Sequence, residues 1–148
     1  MTRRGLLATP LAAWERDGLK AALVKAGLPA DDVGDARLLF WRFETIDIPV
    51  GFGGLEIHGS DALLRSLVTL PPLRQIGMGA AMVAVLETEA RALKCRAIYL
   101  LTASDANFFG RLGYAPCARS DVPEAIRASR QFAEFCAPTA AAMVKRIG

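Results

Sequence analysis

The sequence predicts an α+β sandwich, and three observations carry that prediction. Short β-branched and aromatic runs alternate with longer stretches of helical period, in the order β-α-β-β-β-α-β-α-β with a C-terminal extension. A central stretch, residues 77–93, places Met82, Val85, Leu86, Ala90 and Leu93 on one helical face, opposite Glu87, Thr88, Arg91 and Lys94. After it, Ala97-Ile98-Tyr99-Leu100-Leu101-Thr102 is an unbroken apolar run, as a strand buried on both faces in a parallel pairing would be.

Taken in order, residues 4–8 read as a first strand. Thr9-Pro10 reads as an N-cap followed by proline at the first helical position, and Trp14, Leu19, Ala22, Leu23 and Ala26 share a face until Gly27 and Pro29 stop the helix. Residues 38–43 and 48–57 are aromatic and β-branched, with Asp47-Ile48-Pro49 as the turn between them. Gly51, Gly53 and Gly54 weaken the second of these, which implies a bulge or the close approach of a ligand. Residues 62–70 form a fourth strand that Pro71-Pro72 ends. Beyond the apolar fifth strand, Ser104 or Asp105 can cap a short helix carrying Phe108, Phe109 and Leu112, ended by Gly113. A strand opens at residues 114–117, Asp121-Val122-Pro123-Glu124 fits a capping box for a helix to about residue 130, and residues 141–147 read as a closing strand.

The 148 residues suit one domain, residues 1–148, long enough to bury roughly 70% of the surface of its unfolded chain. Although 53% of residues are hydrophobic, charge, Gly or Pro interrupts every apolar run before the roughly 20 residues of a spanning helix. Pro10 and Glu15-Arg16-Asp17 likewise cut short the signal-like start at Arg3-Arg4, so a cytoplasmic location is expected. Cys95, Cys117 and Cys136 lack C-x-x-C spacing and read as ordinary thiols, with no metal site expected. A net charge of +3 on dispersed basic residues suits a polyanionic small ligand and lacks the dense basic stripe of a nucleic-acid binder.

The stretch that carries chemistry is Leu67-Val68-Thr69-Leu70-Pro71-Pro72-Leu73-Arg74-Gln75-Ile76-Gly77-Met78-Gly79-Ala80. A strand runs into a turn, two glycines open a helix, and the first N–H groups of a helix lack intrahelical partners. The helix dipole adds about 0.3–2 kcal/mol per favourable charge, while micromolar binding needs about 8 kcal/mol, so several amides must act together on a phosphate. No Gly-Lys-Ser/Thr follows as in a P-loop, and Met82 stands where a dinucleotide fingerprint has its third glycine.

Arg74-Gln75-Ile76-Gly77-Met78-Gly79 resembles the R/Q-x-x-G-x-G/A hallmark of the GNAT superfamily of N-acetyltransferases, and Phe108-Phe109-Gly110-Arg111-Leu112-Gly113-Tyr114 is similar to a second conserved segment of that family. Gly54-Leu55-Glu56, Ala62-Leu63-Leu64-Arg65-Ser66 and Ala125-Ile126-Arg127-Ala128 look like its arsenic-resistance-associated members. The resemblance implies a mixed, mostly antiparallel sheet with helices on both faces, splayed between the fourth and fifth strands, and an acetyl-coenzyme A cofactor whose acetyl group passes to the amine of a small molecule, an amino-acid-like toxin or an arsenical among them. It implies that Arg74, Gln75, Ile76, Gly77, Met78, Gly79 and Ala80 wrap the diphosphate, that the backbone at Leu67, Val68 and Thr69 pairs with the pantetheine arm, and that Phe108, Phe109 and Arg111 flank it. The Val68 amide is the expected oxyanion donor. Phe109 replaces the family's usual tyrosine acid and Thr102 its usual asparagine.

An alkylamine of pKa about 10 is almost wholly protonated at neutral pH, a handicap of roughly 4 kcal/mol for attack, so a base is needed; a thiol of pKa about 8.5 leaves without much help. Glu56, at the end of a glycine-rich apolar strand, is the candidate base, directly or through water, and equally reads as a solvated strand-end carboxylate or a partner of Arg65. His58 reads as an exposed turn residue. Arg42, Arg65, Arg127 and Arg130 are candidate clamps for an acidic acceptor, though each alone reads as a solvated surface charge. The expected partners are a small amine and, as an option, a second copy in a homodimer, with neither nucleic acid nor membrane. The competing reading is a non-catalytic acyl-CoA-binding or metalloid-sensing module, motivated by the absent tyrosine and the three cysteines.

Overall fold

The structure, a computed structural model, describes residues 6–28, 30–33, 38–46, 48–70, 78–130, 132–133 and 140–148. Within them β1 (Leu7–Pro10), β2 (Leu39–Thr45), β3 (Ile48–His58), β4 (Asp61–Thr69), β5 (Ala97–Thr102), β6 (Ala115–Cys117) and β7 (Ala141–Arg146) form a sheet in the order β1-β2-β3-β4-β5-β7-β6. Neighbours run antiparallel except β4 and β5, which are parallel. The mixed, mostly antiparallel α+β architecture expected from the sequence is therefore the one found.

Side-chain alternation divides the core. On one face α2 (Met78–Ala92) and α3 (Ala106–Arg111) bury Met82, Val83, Leu86 and Phe109 against Leu55, Leu64, Ile98 and Leu100. On the other, α1 (Asp17–Lys25) sets Leu19 and Leu23 against Phe40 and Val68, and α4 (Glu124–Arg127) sets Ile126 against Leu63, Tyr99 and Ala142. Each fully buried aliphatic side chain contributes about 1.5–3 kcal/mol, which is why a four-residue helix with a single buried Ile126 can persist.

Several expected boundaries shift, each for a physical reason. Residues 4 and 5 lie outside the described residues, and the first strand continues through Pro10. Proline is tolerated there because β1 is an edge strand, with Pro10 opposite Trp41. A single 3₁₀ turn, Ala13–Glu15, precedes α1, so Thr9 caps nothing, and Trp14 is 85% exposed rather than in the core. Ile48 and Pro49 belong to β3, where a register shift between Phe43 and Glu44 accommodates the proline; Asp47 lies outside the described residues. Asp121 closes a 3₁₀ turn instead of a capping box, since Val122 must stay extended to bury its side chain, and Pro123 opens the shorter α4. Glu87, assigned to the polar face of the central helix, is buried, and Leu93 is 43% exposed beyond the helix end.

Candidate active site

β4 and β5 pair over three residues, Asp61↔Ala97, Ala62↔Ile98 and Leu63↔Tyr99, and then part. The parting coincides with a defect in β4. Gly54 pairs with Arg65 but Phe52 with Val68, so Ser66 and Leu67 together oppose Gly53, and Ser66 takes φ 57°. This bulge reverses the side-chain phase: Leu64 and Leu67, three apart, both join the α2 face, while Val68 turns to the α1 face.

The cleft that results has a volume of about 830 Å³. Its walls are residues 64–69 of β4, residues 100–105 at the end of β5, Phe108, Phe109 and Arg111 of α3 with Leu112 just beyond it, Gly79 and Ala80 at the start of α2, and Lys25, Ala26 and Leu28 at the end of α1. Three elements converge at Gly79. A Cβ there would stand 3.1 Å from the Phe108 ring and 3.8 Å from Thr69 Oγ1, so even one added carbon would press on the ring and a branched side chain would not fit without moving it.

The backbone groups facing the cleft follow from the β3–β4 ladder. Leu70 N donates to Val50 O at 2.7 Å, which makes these two a hydrogen-bonded pair, and such pairs recur at every second position of an antiparallel ladder. Phe52 and Val68 are the next such pair, so Val68 turns both its N–H and its C=O toward β3. The same orientation explains Gly51, where a Cβ would collide with the Val68 carbonyl oxygen. Because the flanking peptides are planar and trans, Leu67 C=O and Thr69 N–H point the opposite way, into the cleft. The expectation at Val68 is thereby corrected: its amide faces β3, and the N–H turned into the cleft is that of Thr69.

The other expected site residues divide. Leu67, Thr69, Gly79, Ala80, Phe108, Phe109 and Arg111 line the cleft, as does Val68. Met78 begins α2 and is half-buried without lining it, and Arg74, Gln75, Ile76 and Gly77 lie outside the described residues. Glu56 stands one side chain back from the wall. Its side chain is 13% exposed, with Oε2 3.8 Å from Arg65 Nη1 and Oε1 3.8 Å from His58 Nε2. His58, read as an exposed turn residue, is the last residue of β3 and half-buried. Arg65 lines the cleft but is no clamp for an acceptor: both its terminal nitrogens donate to the Asp32 carboxylate, at 2.5 and 2.6 Å, and Nε donates to Ser66 Oγ at 3.2 Å. Arg42 pairs with Glu44 at 3.4 Å, and Arg127 Nε donates to Val122 O at 2.9 Å; neither borders the cleft.

Sequence reasoning passed over Asp32, Ser66 and Lys25, and no pattern distinguishes them from loop, strand and helix residues of the same kind. Thr102 lines the end of β5, where its Oγ1 accepts from Asp105 N at 2.9 Å. The chain's other tyrosine near α3, Tyr114, is no acid for the cleft. Its hydroxyl donates to Glu87 Oε2 at 3.0 Å, and burial, reinforced by the Glu87 charge, holds its pKa far above the ordinary value. Lys145 Nζ reaches both Glu87 oxygens at 3.1 Å and Leu112 O at 2.9 Å, completing that cluster. Cys95 packs on the α2 face and Cys117 on the α4 face, and burial raises the pKa of both thiols, so these two do not converge on a metalloid; Cys136 lies outside the described residues. Among the described residues no helix is long and apolar enough to cross a membrane.

A family model described as the acetyltransferase (GNAT) family matches residues 7–114. No curated protein sequence matches. Among solved structures, N-acetylglutamate synthase from Neisseria gonorrhoeae complexed with coenzyme A and L-arginine superposes with a TM-score of 0.79 at 14% identity, covering 98% of this chain but 34% of that one. This chain thus spans about a third of that enzyme. Rv2747 from Mycobacterium tuberculosis, in complex with CoA and NLQ, superposes with a TM-score of 0.77 at 17% identity over 96% of this chain and 99% of that one. A GNAT-family acetyltransferase from Staphylococcus aureus gives 0.77 at 13% identity, over 97% and 99%. At such identities the likeness is one of fold.

Proposed function

Because the chain belongs to the acetyltransferase (GNAT) family, we propose that it transfers the acetyl group of acetyl-coenzyme A to the amine of a small molecule. The observation that carries this reading is the parting of β4 from β5 after Leu63, with Leu67 C=O and Thr69 N–H turned into the opening. An extended arm such as pantetheine can lie along β4 as an added strand, with an amide of the arm donating to Leu67 C=O and the thioester oxygen accepting from Thr69 N–H. The residues present fit the coenzyme on two counts: the outer edge of β4 offers main-chain groups along the cleft, and Gly79 keeps the start of α2 clear beside Phe108 and Thr69.

In this reading the diphosphate lies at the start of α2, against Gly79 and Ala80, with Arg74, Gln75, Ile76, Gly77 and Met78 completing the loop; the helix N-terminus favours negative charge there. Phe108, Phe109 and Arg111 of α3 form the opposite wall and keep water from the arm. Thr69 N–H stabilises the negative charge that develops on the thioester oxygen as the amine attacks. The amine must first lose a proton, and Glu56 takes it through water, since the carboxylate stands behind Arg65 rather than on the wall. The acceptor enters from the side of α1, where Lys25, Ala26 and Leu28 border the opening. An amino-acid-like amine, arsenicals included, is the class we infer, from the likeness of Gly54-Leu55-Glu56 and Ala62-Leu63-Leu64-Arg65-Ser66 to arsenic-resistance-associated acetyltransferases.

Release of free thiol from acetyl-coenzyme A against a panel of small amines tests this. Amine-dependent release is expected, with kcat falling about 100-fold in Glu56→Gln while the KM for acetyl-coenzyme A holds. Unchanged turnover in that variant removes Glu56 as base, and coenzyme binding without turnover on any amine leaves a non-catalytic acyl-CoA-binding module.

A further inference from the structure

We propose that Asp32 and Arg65 are positioning residues: a buried brace that holds Ser66 in its left-handed conformation and so aims Leu67 C=O and Thr69 N–H into the cleft. The inference rests on the acetyl-transfer reading, because it assigns a role in that reaction to residues behind the cleft wall.

Ser66 is in a conformation that L residues adopt at a cost of about 1–3 kcal/mol unless their surroundings determine it. Its neighbour supplies that determination. The Arg65 side chain is 0% exposed, its fork holds Asp32, whose side chain is 5% exposed, and its Nε donates to Ser66 Oγ at 3.2 Å. The Phe40 ring stands 5.6 Å from the same guanidinium, and Arg16 lies 4.8 Å from that ring while donating to Val33 O and Leu38 O at 3.0 and 2.8 Å. Asp32 is thus tied to the sheet by Arg65, while Arg16 fixes its neighbour Val33 within the connection between α1 and β2.

The bulge at Ser66 is what fixes the phase of the strand beyond it. Without the extra residue, the pairing Gly54↔Arg65 would continue in regular register, and every backbone group from residue 67 onward would exchange its direction. Thr69 N–H would then face β3 and Val68 N–H the cleft. The brace also ties the connection that follows α1 to β4, the strand that in this reading holds the thioester.

Asp32→Asn in the full chain tests the brace, with circular dichroism confirming the fold at the assay temperature. We expect kcat to fall at least tenfold and coenzyme A affinity, measured calorimetrically, to weaken with it, because the arm pairs with the groups the brace aims. Glycine takes a positive φ without strain, so adding Ser66→Gly to Asp32→Asn is expected to restore at least half of the lost kcat. Ser66→Val, which leaves the ion pair intact but resists a positive φ, is expected to lose kcat to a similar extent. A folded Asp32→Asn enzyme with parental kcat, or a loss that Ser66→Gly does not repair, overturns the brace. Should the parent neither bind coenzyme A nor release thiol, the acetyl-transfer reading fails instead. Amide hydrogen exchange then decides: faster exchange at residues 66–69 in Asp32→Asn supports the brace, and unchanged exchange overturns it.

Discussion

Two buried ion-pair clusters occupy opposite faces of the sheet, and comparing them separates what shapes the cleft from what holds the fold. On the α1 face, Arg65 and Asp32 are almost fully enclosed and end on Ser66, a cleft residue. On the α2 face, Glu87 receives Tyr114 and Lys145 behind α3, and the Lys145 side chain is 26% exposed. The first cluster has no water to fall back on and touches the site; the second keeps one partner partly solvated and touches only the back of a helix. Similar chemistry therefore has different consequences, in size and in kind.

The largest effect expected is in the enclosed pair. Arg65→Ala leaves the Asp32 carboxylate buried without its counter-ion, and such a loss costs about 3–5 kcal/mol. Urea unfolding should register it, and a loss below about 1 kcal/mol would show that water reaches Asp32.

Glu87→Gln should cost less, about 1–3 kcal/mol, because Lys145 can turn to solvent. Thiol release by the folded variant should stay within about twofold of the parent. A tenfold loss of kcat would erase the contrast, since the α2-face cluster would then govern the site as well.

The smallest effect concerns Tyr114, whose hydroxyl burial and Glu87 keep protonated in the fold. A folded pKa raised above the unfolded value of about 10 contributes stability that is complete below that pH and is lost as the pH rises beyond it. Tyr114→Phe should cost about 1 kcal/mol at pH 8, with less additional loss than the parent between pH 9 and pH 11, read as denaturation midpoints. Equal slopes in the two proteins would mean that Tyr114 ionises as freely in the fold as out of it.

The two clusters also differ in how far a sequence reveals them. Period and turn chemistry expose the individual strands, the central helix and the glycine-bearing junction at Gly79, because each depends on residues close in the chain; the pairing of the strands comes from the family resemblance. The run from Ala97 to Thr102 and the closing strand at Ala141–Arg146 were legible for the same reason. Asp32 and Arg65 are 33 positions apart, and Glu87 and Lys145 are 58 apart; nothing local marks either pair. Glu87 even sits where helical period assigns solvent, since the partners that make its burial tolerable come from β7 and the turn after α3. Thr9 and Asp121 mislead in the opposite sense, as good local caps overruled by the sheet pairing of Pro10 and the burial of Val122. The Val68 amide misleads because Gly51, Gly53 and Gly54 signal a bulge but not its strand, and the extra residue in Arg65-Ser66-Leu67 sets which amides leave the ladder.

Titration calorimetry with coenzyme A, on the parent and on Gly79→Val, tests the central claim most directly. A cofactor cleft between β4 and β5 predicts one-site binding with a Kd of about 1 μM or below, worth about 8 kcal/mol. It also predicts at least tenfold weakening when a branched side chain is forced between α2, Phe108 and Thr69. No heat from the parent, or equal affinity in the two proteins, would contradict it.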